Sequence, residues 1–76
     1  MEKHLEKYKQ LSLNISYHRK RKGLSQIEFA EKIGVSRTHY SKIEAPNVPQ
    51  AFSLNVLFDI AEALDIEIAK LFDFSK

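Results

Sequence analysis

The stretch from Ser25 to Glu44, SQIEFAEKIGVSRTHYSKIE, leaves this chain few folds to choose from. Ser25 followed three residues later by Glu28 is the signature of a capping box, so a helix starts at Gln26. Phe29, Ala30 and Ile33 then recur on one face at helical spacing. Gly34 stands where that helix must end and reverse, in a position that suits a left-handed backbone. Ser36 is a second N-cap, and Tyr40 and Ile43 give the second helix its inward side. The pattern predicts two short helices, Gln26 to Ile33 and Ser36 to Glu44, around a glycine turn. Arg37, Thr38, Ser41 and Lys42 are left facing outward, a polar and basic surface suited to nucleic acid.

The flanks extend the same logic. Leu5, Tyr8, Leu11, Ile15 and His18 step by three and four and predict helix over residues 1–22, as one stretch or one short helix running into another. Residues 1–10 form a charged helical extension, with Glu2, Lys3, Glu6, Lys7 and Lys9 on the wet side and no core anchor before Leu5. The run His18-Arg19-Lys20-Arg21-Lys22 places positive charge at the negative end of the helix dipole, and it can equally meet phosphates. Gly23 predicts the cap of this helix, with Leu24 folding back. Downstream, both prolines fall in Ala45 to Phe52, an extended connection. Ser53 caps a helix to about Leu64, with Leu54, Leu57, Ile60, Ala61 and Leu64 as its buried stripe. Asp65 interrupts, Ile66 to Phe72 predict a short final helix, and residues 73–76 form a tail. No strand pattern or repeat occurs. The expected fold is all-α: one compact bundle of about five short helices with a central helix-turn-helix, spanning residues 1–76.

Composition narrows the remaining choices. With 76 residues there is room for a single modest core, and 43% hydrophobic with 29% charged residues describes a folded domain rather than a disordered one. There is no Cys, so no disulfide or cysteine zinc site supplies stability, and association with another copy is one remaining route. The net charge of +2 is too small to imply nucleic acid by itself, so the placement of charge must carry that inference. No apolar run approaches membrane-spanning length and the first ten residues are too charged for a secretion signal, which makes the cytoplasm the expected compartment.

The central stretch resembles the helix-turn-helix of the phage-repressor and Cro-like (xenobiotic-response-element type) family of DNA-binding transcriptional regulators. Gln26, Ala30, Gly34, Tyr40 and Ile43 stand at the family's pattern positions, and Ser36 opens the recognition helix. Leu11 to Gln26 looks like the family's first helix and its exit, and Ser53 to Phe72 like its fourth and fifth helices. The resemblance implies a lambda-repressor-like DNA-binding domain. It implies base contacts for Arg37, Thr38 and Ser41, with Lys42 a turn further on meeting a base or a phosphate. For phosphates it points to Gln26, and the neighbouring Ser36, His39 and Asn47 are further candidates. It also implies a structural pair between Arg19 in the first helix and Glu44 at the end of the recognition helix. Three departures stand out. His18 replaces a larger aliphatic residue, Ile27 is apolar where the family is polar, and the Ala45–Phe52 loop carries no Lys or Arg, leaving Asn47, Gln50 or backbone N–H groups for phosphates.

The expected function is sequence-specific binding of double-stranded DNA, as a repressor or autoregulator acting as a homodimer on a near-palindromic operator. Ile68, Leu71, Phe72 and Phe74 form the expected dimer surface, and the loop around Val48 is second. The alternative is a protein-interaction module, such as an antitoxin-like subunit with DNA binding secondary. An enzyme is not expected: His4, His18 and His39 show no ligand spacing, no nucleophile motif accompanies them, and no metal, cofactor or small-molecule ligand is implied.

Overall fold

The structure, a computed structural model, describes residues 3–45 and 52–75. The described residues form four α-helices and one 3-10 helix, with no strand among them. Helix α1 runs Leu5–Arg21, α2 Gln26–Ile33, α3 Arg37–Glu44 and α4 Leu54–Leu64; the 3-10 helix covers Ile68–Phe72. Of the two alternatives for the first stretch, the structure shows one continuous helix, Leu5–Arg21. No helix of the described residues is long and apolar enough to cross a membrane.

The helix boundaries follow from local chemistry. Ser25 Oγ accepts from the Glu28 N–H at 3.0 Å while the Glu28 carboxylate accepts from the Ser25 N–H at 2.8 Å, so both halves of the capping box are made. Gly34 ends α2 in the left-handed region at φ 77°, and the N–H of Val35 reaches back to the Ala30 carbonyl. Ser36 and Ser53 cap α3 and α4 by accepting from the N–H groups of His39 and Val56. Gly23 and Leu24 close α1 in the same reversed manner as Gly34 and Val35, through bonds to Lys20 and Arg19 carbonyls.

The core is built from Leu11 and Ile15 of α1, Phe29 and Ala30 of α2, Tyr40 and Ile43 of α3, and Val56, Leu57, Ile60, Ala61 and Leu64 of α4, closed by Leu71. Phe29 meets Tyr40 edge to face, with ring centroids 5.4 Å apart, which locks α2 against α3. Two polar residues inside the α1 stripe tie distant segments to it. Ser12 Oγ donates to the Ile43 carbonyl at 2.9 Å, satisfying one of the acceptors left free at the end of α3. Asn14 Nδ2 donates to the carbonyls of Leu71 and Asp73, holding the 3-10 helix against α1. Among the described residues every buried side-chain nitrogen and oxygen has a partner.

Three expectations are corrected. The fifth element is a 3-10 helix beginning at Ile68, not an α-helix from Ile66. Asp65 takes the left-handed conformation at φ 57°, the N–H of Ile66 returns to the Ala61 carbonyl, and Glu67 is extended, so α4 is fully terminated first. Five residues are then too few to nucleate a fresh α-helix. Leu54, assigned to the α4 stripe, is 69% exposed, and Val56 is buried instead. The C-terminal part of α2 covers the flank of α4 that carries Val56: Lys32 and Ile33 face Asp59 and Ala63 across a shallow cleft, while Leu54 borders an open groove on the other flank. Leu71, assigned to a dimer surface, has no exposure and belongs to the core of the single chain.

Candidate nucleic-acid interface

Helix α3 owes its orientation to Tyr40 and Ile43, both without solvent exposure. At 100° per residue their direction leaves Thr38, Ser41 and Lys42 on the opposite side of the helix, Arg37 on the flank shared with Ser41 and Glu44, and His39 on the other flank. All five, Arg37, Thr38, His39, Ser41 and Lys42, are exposed. The structure thus brings the four expected base-contacting residues onto one accessible surface. The Ser36 hydroxyl, adjacent to that surface, accepts from the His39 N–H and keeps its own O–H free to donate. Asn47 lies outside the described residues, as do Val48 and Gln50.

Gln26 stands beside α3 at the first position of α2. Its Nε2 donates to Glu44 Oε1 at 3.0 Å, and the Ser41 hydroxyl lies 3.4 Å from its Oε1. One amide N–H is committed to Glu44, and the second remains to donate. Ile27, the next residue, is 47% exposed, an apolar shoulder beside this polar group.

The rigidity of the surface traces to one carboxylate. Glu44 Oε2 accepts from Arg19 Nε at 2.6 Å and from the Tyr40 hydroxyl, and Oε1 accepts from Arg19 Nη2 at 3.2 Å as well as from Gln26. Arg19 Nη1 continues to the Leu24 carbonyl beyond the end of α1. The side chains of Arg19 and Glu44 are only 8% and 6% exposed, so the pair is shielded from water. Arg19, Gln26 and Glu44 belong to α1, α2 and α3, and the carboxylate fixes all three helices at the carboxyl end of the recognition helix. Burial pushes the Glu44 carboxyl up, but hydrogen bonds from Arg19 and Tyr40 outweigh it and hold the carboxyl below its ordinary range. The Tyr40 hydroxyl moves upward, first through burial and then through its bond to Glu44. Arg19 is raised mainly by its hydrogen bond to Glu44. This is a structural cluster with no reacting atom exposed.

Of the basic run, only Arg19 turns inward. Lys20, Arg21 and Lys22 are exposed, and Arg21 donates to the Tyr17 hydroxyl at 3.1 Å with its guanidinium 5.7 Å from the ring centre. His18, Arg21, Lys22 and Lys70 line a cleft with the end of α4. His18 is half-buried against Tyr17, with ring centroids 5.1 Å apart. No grouping of His, Cys, Asp or Glu among the described residues has the geometry to hold a metal ion. Of the expected dimer residues, Phe72 is exposed, Ile68 and Phe74 are half-buried, and Leu71 is inaccessible.

Sequence reasoning missed Gln26 and Tyr40 as partners of Glu44. The i, i+4 spacing of Tyr40 and Glu44 was a usable signal. It also missed Ser12 and Asn14, whose only trace is two small polar residues between the core positions Leu11 and Ile15.

The family model for the helix-turn-helix matches residues 15–71, well over half of the chain. It begins at a core residue of α1 and ends at Leu71, the core residue of the 3-10 helix. No curated protein matches the chain.

Proposed function

We propose, for a chain that belongs to the Cro/C1-type helix-turn-helix family of DNA-binding transcriptional regulators, that it binds a specific duplex sequence through α3 as a homodimer and represses by occlusion. Membership carries DNA binding. The observation that supports it best is the outward face of α3. Thr38, Ser41 and Lys42 lie opposite a fully buried Tyr40 and Ile43, and Arg37 flanks them on a helix clamped at its far end by Glu44. A major groove admits such a helix, and the side chains near its amino end reach base edges.

Arg37 has the fork to bind guanine O6 and N7 together, Thr38 suits a thymine methyl or a phosphate, and Ser41 accepts or donates. Lys42 serves a base or a phosphate. The second N–H of Gln26 suits a phosphate at one lip of the groove, with Ser36 at the amino end of α3 and His39 on the opposite flank as further phosphate candidates. Two copies on a near-palindromic site require recognition helices roughly 34 Å apart. The protein extends 32 × 26 × 19 Å, a size of the same order as that spacing.

The test is duplex binding by fluorescence anisotropy across a salt series with substitutions on α3. Affinity should fall steeply with salt, in proportion to the phosphates contacted. Arg37→Ala should cost about 1–3 kcal/mol on the preferred site and relax base choice at one position, whereas Lys42→Ala should weaken all sequences alike if it meets a phosphate. Equal losses for Arg37→Ala on specific and random duplex would remove its base-reading role. Absence of duplex affinity even at low salt would replace this reading with a protein-interaction module.

A further inference from the structure

An exposed apolar surface that the proposed function does not use lies away from α3. Leu54 and Phe58, one turn apart on α4, are 69% and 54% exposed, and Phe72 of the 3-10 helix is 47% exposed. Leu54 and Phe72 border a single groove whose walls also hold Tyr8 and Phe52, stacked with ring centroids 5.7 Å apart. Helix α3 packs on α1 and α2, so a partner seated on this face leaves the recognition surface open.

We propose that the Leu54–Phe58 face of α4, together with Phe72, is the surface on which a second copy of this chain docks about a two-fold axis. This rests on the homodimer reading and specifies where that dimer forms. Area supports a second copy. Residues of this size at these exposures each present on the order of 100 Å², about 300 Å² per copy. A stable interface buries about 800 Å² per partner, a little over half of it apolar. The three residues and the groove walls therefore supply most of the apolar part. Charge supports the symmetry. The groove wall on α1 carries Lys7, whereas the side of α4 beyond Phe58 carries Glu62, with Asp59 further round facing Lys32 of α2. An axis through Leu54 and Phe58 turns the basic rim of one copy toward the acidic rim of the other, the self-complementarity an isologous contact needs. The surface also replaces Leu71, which the core has already claimed.

Analytical ultracentrifugation of the whole chain, with and without substitutions, tests the proposal. The unsubstituted chain should dimerise. The double variant Leu54→Glu, Phe58→Glu should weaken dimerisation by about 30-fold or more. It should keep its helical circular dichroism and bind a single half-site as before, while losing the advantage of a two-half-site duplex. Leu13→Glu, at another exposed leucine on the outer side of α1, should change nothing. If the glutamates unfold the chain, Phe58→Cys gives a second reading. Oxidation should yield a disulfide-linked dimer faster than Leu13→Cys does, since the chain has no other Cys. A double variant that dimerises like the unsubstituted chain would overturn this surface and leave the homodimer standing. An unsubstituted chain that stays monomeric both free and on a two-half-site duplex would overturn both, while half-site binding would still report DNA recognition separately.

Discussion

Replacing Glu44 by Ala should nearly unfold this domain, and replacing Arg19 along with it should largely restore it. In Glu44→Ala the Arg19 guanidinium stays in place, shielded from water, with only the Leu24 carbonyl as partner. Removing one member of a buried ion pair costs about 3–5 kcal/mol, because the other charge is left uncompensated. The Tyr40 hydroxyl and the Gln26 amide lose their acceptor as well. The hydroxyl is the deeper of the two and adds about 1–3 kcal/mol. A chain of this length has on the order of 4–11 kcal/mol of total stability, so the loss consumes most of it. The double variant Arg19→Met, Glu44→Leu leaves no unpaired charge. It should lie within about 2 kcal/mol of the unsubstituted chain, since apolar replacement of a whole buried pair is often neutral. Urea unfolding followed by far-ultraviolet circular dichroism measures the unsubstituted chain, Arg19→Met, Glu44→Leu and their double variant as the four corners of a cycle, with Glu44→Ala beside them. The reasoning is refuted if Glu44→Ala costs under 1 kcal/mol, or if the double variant loses as much as the two single variants added together.

Two further outcomes follow from the same structure. Gly34→Ala should cost about 1–2 kcal/mol in the same unfolding assay purely through backbone strain: φ is +77° and a Cβ there meets nothing within 4 Å. Gly34→Asn, which tolerates that conformation, should cost less. Because the folded Glu44 carboxyl sits below its ordinary value, the unfolded chain takes up its proton first as pH falls beneath about 4.5. The stability this group contributes is thus complete above that pH and lost below it, and Glu44→Gln should flatten the acid limb of a stability–pH profile.

Helix ends were legible because their causes are local. Ser25 with Glu28, Gly34, Ser36 and Ser53 each act within a few residues of their partners, and each occupies the boundary its chemistry predicts. Burial on the edges of a stripe was not. Leu54 and Val56 both border the inward face of α4, and only the position of α2 decides that Val56 is covered and Leu54 is not. Leu71 read as a surface residue because it sits in an apolar carboxyl end, yet Asn14, fifty-seven residues away, draws its carbonyl and the whole 3-10 helix onto α1. The final helix was misjudged in kind because an α-helical pattern over so few residues does not overcome the cost of nucleation. At the recognition surface, the outward placement of Arg37, Thr38, Ser41 and Lys42 follows directly from the spacing of Tyr40 and Ile43. The joining of Gln26, Arg19 and Tyr40 on one carboxylate depends on three helices meeting, which no single helix pattern encodes.

The central claim is that the exposed face of α3 reads a particular duplex sequence, once per copy of the chain. Selection of bound sequences from a random duplex pool tests it most directly. The pool should be enriched in a two-fold symmetric site whose half-sites lie about one helical turn apart, with one position losing its preference in Arg37→Ala. A pool that emerges without enrichment, or an enriched site whose base preferences are all unchanged by substitutions at Arg37, Thr38, Ser41 and Lys42, would contradict it.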